Sequence, residues 1–213
     1  MTLPEIIPIF PLPNVVLFPR MPLPLHIFEP RYRDMVRAAV SGPRLIGMAL
    51  LRGDWERDYE GRPPIFVAGT VGQMVRCEEL PDGRFNIVLL GLREYTIERE
   101  LARASYREAV VRWREPVTEE LPSGLRGEIV TLVQRYLERL GKTRDAEPVP
   151  DPAVDHETFV NFFAQHLDVP PLEKQAMLEA PTLGERARRL RDILDFRLQE
   201  LRGHPGAPSG RAH

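Results

Sequence analysis

The sequence predicts an α+β fold. A curled, barrel-like antiparallel β-sheet with one embedded helix is expected over residues 1–118, an α-helical bundle over 119–202 and a disordered tail over 203–213. Three observations carry this. Eight of the 22 prolines lie in the first 32 residues. Because proline neither donates to a ladder nor sits in a helix interior, that stretch reads as short strands and turns. From Ile65 to Trp113 apolar residues keep strand periodicity, interrupted by glycines and an Asp-Gly turn. From Glu119 the apolar spacing becomes helical.

Ile6–Phe10 and Val15–Phe18 read as strands, with a third through Leu23, Leu25 and Ile27. Glu29-Pro30 then opens a helix, since proline suits a first turn, and Tyr32, Met35, Val36 and Ala39 recur at helical spacing until Ser41-Gly42-Pro43. Arg44–Leu51 is a buried strand and Arg52–Pro64 a polar loop. Ile65–Leu80 is a long strand in which Gly69 and Gly72 predict a bend or bulge. Pro81-Asp82-Gly83-Arg84 is a hairpin turn leading into Phe85–Leu90, which is apolar on both faces. Gly91 is read as a reversal, followed by half-exposed strands at Tyr95–Leu101 and Tyr106–Trp113.

In the second half, Leu125, Ile129, Leu132, Val133, Tyr136, Leu137 and Leu140 form one stripe closed by Gly141. Lys142–Pro152 is a connection. Asp155 caps a helix bearing Phe159, Phe162, Phe163 and Leu167, and Pro170-Pro171 starts a short helix through Met177 and Leu178. Thr182-x-x-Glu185 is a capping box opening the last helix, with Leu183, Ala187, Leu190, Leu194, Leu198 and Leu201 on one face.

The formal charge is −2, with 16 basic and 15 acidic side chains in residues 1–118 and 13 and 16 in 119–213, so charge does not predict nucleic-acid binding. Cys77 is the only cysteine, which excludes an internal disulfide and a multi-cysteine zinc site. The start, Met1-Thr2-Leu3-Pro4-Glu5, has no basic leader, and no apolar run is long enough to cross a membrane, so a soluble cytoplasmic protein is expected.

His156-Glu157 begins like a zinc-protease helix, but Val160 stands where the second histidine belongs. His26-x-x-Glu29 lacks a third metal ligand nearby, and His26 is read as a strand histidine bonded to backbone. Carboxylates beside Cys77 raise rather than lower its pKa. Gly141-Lys142-Thr143 closes a helix, whereas a phosphate loop opens one. Arg186, Arg188, Arg189 and Arg191 are interleaved with Glu185, Asp192 and Asp195, a self-neutralising face. Arg31 and Tyr32 read as a helix-to-sheet anchor. No catalytic residue, metal or cofactor is expected.

Several blocks carry a resemblance: Phe10-Pro11-Leu12, Leu17-Phe18-Pro19, His26–Tyr32, Gly69-Thr70-Val71-Gly72, Pro81-Asp82-Gly83-Arg84 with Leu92-Arg93, Glu173–Glu179 and Gly184–Leu190. In their order and spacing they resemble the Lon protease amino-terminal, substrate-recognition domain, from about Leu3 to Leu201. The family resemblance implies a PUA-like barrel followed by a helical bundle. After the glycine the family shows an Arg-aromatic pair where this chain has Glu94-Tyr95, with arginine displaced to Arg93. A full Lon protease also has ATPase and Ser-Lys peptidase regions, for which 213 residues are too few, so a free-standing member is expected.

The resemblance implies a non-catalytic module that binds exposed apolar or extended segments of unfolded or partly folded proteins, by burial in a groove or by strand addition at an open sheet edge. Delivery to a separate protease would fit such a module. Its binding surface is expected near Phe18, Pro19, His26, Phe28, Glu29, Arg31 and Tyr32, with Phe162, Phe163 and Met177 from the helical side. The alternatives are a PUA-like RNA-binding protein and a small-molecule-binding barrel. The sequence is silent on oligomeric state.

Overall fold

The computed structural model describes residues 3–58, 61–102, 104–115, 121–141, 150–151 and 153–203. The boundary expected at residue 118, most of the Lys142–Pro152 connection and the tail from residue 204 lie outside the described residues.

The elements run β1 (Ile6–Leu12), β2 (Pro22–Ile27), α1 (Pro30–Val40), β3 (Leu45–Leu50), a 3-10 turn (Trp55–Asp58), β4 (Ala68–Glu79), β5 (Phe85–Leu101), β6 (Arg107–Trp113), α2 (Leu125–Arg139), α3 (His156–His166), α4 (Pro171–Leu178) and α5 (Leu183–Gly203). The chain is thus a mixed β-sheet with five α-helices. It divides into two compact units: residues 1–117 with 161–179, and residues 118–160 with 180–213. The sequence reading assigned 161–179 to the helical bundle; by backbone proximity they group with the sheet.

The strand order is β2-β5-β4-β3-β1-β6, and β5 also pairs with β6, so the pairings of β1, β3, β4, β5 and β6 close a ring. Ile7, Ile9, Leu45, Ala49, Val71, Tyr95, Ala109 and Val111 pack together as its buried core. The sheet is not wholly antiparallel as expected: β1 pairs with β3 in parallel, Ile9 opposite Gly47 and Leu12 opposite Leu50. Parallel neighbours need a long crossover, which β2 and α1 supply. Tyr32 of α1 packs on Phe10 of β1, ring centroids 4.4 Å apart.

Two strand expectations are corrected. Val15–Phe18 is not a strand. Val16, Leu17 and Phe18 are buried in succession rather than alternately, between Pro13 and Pro19. Gly91 is not a reversal, because β5 runs through it as a single 17-residue strand. Its lack of a side chain serves a close approach: a Cβ on Gly91 would collide with the carbonyl oxygen of Phe18. The bulge expected at Gly72 is present as a register shift at Val71/Gly72, Gly69 stays in register opposite Tyr95, and a second shift that was not expected lies at Met74/Arg76.

In the second unit α2 and α5 pack together. Ile129, Val133, Tyr136 and Leu137 on α2 and Ala187, Leu190, Leu194 and Leu198 on α5 are buried, while Leu140 is exposed. Thr182 Oγ1 accepts the N–H of Glu185 at 3.1 Å, and Asp155 Oδ1 accepts that of Thr158 at 2.9 Å, so both predicted caps form.

Candidate functional site

The sheet and residues 161–179 are joined by buried polar contacts. Phe18 N–H donates to Gln165 Oε1 at 3.1 Å and Asn161 Nδ2 donates to the Pro19 carbonyl at 3.2 Å. Gln175 Nε2 donates to the Ala68 carbonyl at 3.1 Å, and Lys174 Nζ to that of Gln165 at 2.7 Å. Burial holds the Lys174 ammonium pKa below its ordinary value, with Asp168 pulling the other way. The Phe18 N–H and the Pro19, Ala68 and Gln165 carbonyls thus each receive a side-chain partner from residues 161–179.

Half of the ten expected binding residues lie in the interior of this unit. Phe18, Pro19, Tyr32, Phe163 and Met177 are buried, so they hold the unit together and are not presented to solvent. Glu29, Arg31 and Phe162 are half-buried. Arg31 Nε donates to Glu29 Oε2 at 3.0 Å and its guanidinium lies 4.7 Å from the centre of the Tyr32 ring. That is an anchor for the start of α1. Phe162 stacks on His166 at 4.4 Å. His26 and Phe28 are the two of the ten that stand in solvent, Phe28 being 60 % exposed.

His26 bonds to side chains rather than to backbone. Arg84 Nη1 lies 3.2 Å from Nε2 and Asn86 Oδ1 lies 2.8 Å from Nδ1. A guanidinium only donates, so Nε2 is the acceptor in this contact and Nδ1–H the donor to Asn86. Arg84 is held in turn by Asp82 at 2.6 Å. The Asp82 carboxyl lies below its usual pKa because the Arg84 backbone N–H bonds to it, with the Arg84 side chain adding to the effect. This network forms one polar end of a sheet face.

The remainder of that face has an apolar strip on β2 and β5 flanked by polar side chains of β4. On β5, Phe85, Ile87 and Leu89 point into the core, while Asn86, Val88 and Leu90 point outward. Pairing sets Pro22 beside Leu90, Pro24 beside Val88 and His26 beside Asn86 on one flank. On the other flank it sets Gln73 beside Leu90, Arg76 beside Val88 and Glu78 beside Asn86. Val75, in the bulge, is 55 % exposed, Leu90 39 % and Leu92 46 %. A shallow groove lined by Pro24, His26, Arg76, Glu78, Asn86 and Val88 runs along this face. Sequence reasoning missed Val75, Leu90 and Leu92, yet the signal was present: Phe85–Leu90 is apolar on both faces although only one faces the core.

Cys77 lies on the same strand, where burial raises its thiol pKa, Arg44 opposes this and Glu79 adds to it. Among the described residues no three His, Cys, Asp or Glu side chains cluster as a metal site, and no helix is long and apolar enough to cross a membrane.

Residues 6–195 match the ATP-dependent protease La (LON) substrate-binding domain. Lon protease of Cytophaga hutchinsonii is 27% identical over 206 residues, covering 93% of this chain and 25% of the relative. That of Parabacteroides distasonis is 28% identical over 211 residues, covering 93% and 25%. The chain therefore spans about a quarter of the length of these relatives. Two solved structures share the fold. They are a Lon N-terminal domain protein from Xanthomonas campestris (TM-score 0.64, 22% identity) and the N-terminal domain of Mycobacterium avium complex Lon protease (TM-score 0.66, 17% identity). Each match covers 90% of this chain and 98% of the other. The order of the proline-rich strands, the single embedded helix and the closing helices is thus accounted for: the chain belongs to the family of Lon substrate-binding domains.

Proposed function

We propose that this chain is a non-catalytic protein-binding module that holds exposed apolar segments of client proteins on the outer face of β2, β5 and β4. The observation that carries the reading is the run Pro22, Pro24, Val88 and Leu90, set side by side on the outer face by strand register, with exposed Val75 in the neighbouring bulge, in a member of a substrate-binding family. Contiguous apolar surface of this kind costs solubility and marks interaction sites. Phe28 and His26 extend the face at one end, whereas Phe18, Pro19, Tyr32, Phe163 and Met177 contribute as scaffold.

The closed ring of pairings supports a PUA-like barrel. A binder without catalytic residues suits a cytoplasmic adaptor that delivers clients to a separate protease. Binding proceeds by side-chain burial.

The test is a fluorescence titration of the purified chain against a permanently unfolded protein, the same protein folded, and a structured RNA, each at low and moderate salt. Preferential, salt-tolerant binding of the unfolded protein, lost in Leu90→Asp, is expected. Binding of RNA alone, falling steeply with salt, would overturn the reading.

A further inference from the structure

The backbone of β2 decides what kind of segment its face can hold. Gly91 N–H donates to the carbonyl of Met21 at 2.9 Å, so Met21 turns its backbone groups toward β5. In an antiparallel ladder that orientation recurs at every second residue. Leu23, Leu25 and Ile27, opposite Leu89, Ile87 and Phe85, therefore bond to β5. Pro22, Pro24 and His26 turn their backbone outward, and among the described residues β2 has no strand on that side. Two of these three residues have no N–H. A strand added there would find His26 as the one donor along β2, leaving its own carbonyls without partners.

A segment lying along the β2 and β5 part of the face meets Val88, Leu90, Pro22 and Pro24, whose side chains offer neither donors nor acceptors, while Gln73, Arg76 and Glu78 flank it on β4 and His26 and Asn86 close one end. It must satisfy its own backbone, as an α-helix does. Three strands about 4.8 Å apart give a face roughly 10 Å across, the diameter of a helix with its side chains. Charge adds a requirement. Arg76, beside Val88 at mid-face, is 73% exposed at its side chain and loosely paired to Glu78 at 3.8 Å, so a carboxylate on the helix flank complements it.

We propose that the face takes an amphipathic helix of the client with an acidic residue beside its apolar stripe, an inference that rests on reading this face as the client site. The test uses two fluorescent peptides of about 18 residues and equal composition. One forms an amphipathic helix with glutamate flanking the stripe, and the other is rearranged so that two prolines interrupt it. The helical peptide is expected to bind about tenfold more tightly and to gain helicity on binding. Leu90→Asp and, independently, Val75→Asp should each remove that binding. Arg76→Glu should weaken it severalfold and be rescued by lysine in place of the glutamate. Equal binding of the interrupted peptide, still lost in Leu90→Asp, overturns the helix and keeps the face. Binding of neither peptide, or binding indifferent to Leu90→Asp, overturns both.

Discussion

Glu94 and Arg114 form a nearly buried ion pair: Arg114 Nη1 lies 2.6 Å from Glu94 Oε2 and also donates to the Leu178 carbonyl at 2.9 Å. One guanidinium thus ties β5 to the end of α4. Glu94 stands where the family resemblance leads one to expect arginine, and Arg93 beside it donates through Nε to the Arg114 carbonyl at 2.8 Å. The displaced arginine therefore still fastens the segment after β6. Arg114→Ala leaves a carboxylate buried without its partner and is expected to cost about 3 kcal/mol. Urea unfolding should show a lower midpoint at unchanged slope.

Tyr95 predicts a pH dependence. Its hydroxyl donates to the Met48 carbonyl at 2.8 Å inside the ring, and burial raises its pKa far above the ordinary phenol value. The folded protein keeps this proton where the unfolded chain releases it, so stability is unaffected below about pH 10 and falls as pH rises beyond it. Tyr95→Phe should lose about 1–2 kcal/mol at neutral pH, through the orphaned carbonyl, and show a flatter alkaline limb. Equilibrium denaturation from pH 7 to 11.5 measures both.

Leu90 and Phe163 separate binding from scaffold. Leu90→Asp, on the outer face, should leave the thermal midpoint nearly unchanged and remove client binding. Phe163→Ala, in the joint, should cost about 3–5 kcal/mol through the cavity it leaves, with the affinity of the folded fraction retained. Titration and denaturation of both variants should show the crossed pattern.

The β2 edge can be opened by substitution. Replacing Pro22 and Pro24 together by valine and threonine restores two outward N–H groups on an edge strand. The double variant should self-associate in a concentration-dependent way, seen by light scattering, while the unaltered protein does not change its size through this edge.

The sequence-level reading found most of the elements because their signals are local. Pro30 marks the start of α1, Asp82-Gly83 the hairpin, and Asp155 and Thr182 supply cap oxygens. Features set by distant contacts were not legible. Gly91 looks like a turn until the Phe18 carbonyl is placed against it, and Val15–Phe18 looks like a strand until its partners prove to be α3 side chains. The candidate site shows the same division. Phe18, Phe163 and Met177 were chosen as conspicuous apolar residues, and conspicuous apolar residues are the ones a core recruits. Leu90 was overlooked because the outward side of a strand is recognised only once its register is known.

The ring of strand pairings has a consequence in time. β1 precedes its partner β3 by about forty residues and its partner β6 by about a hundred, so its ladders are of high sequence separation and slow to complete. The joint takes longer, since Asn161 reaches back across 142 residues to Pro19. A nascent chain leaving the ribosome therefore carries an unpaired apolar strand through much of its synthesis. Pro8 and Pro11 within that strand deny neighbouring nascent chains an uninterrupted row of donors. The prolines that make the amino terminus conspicuous on paper also make its long wait for partners survivable.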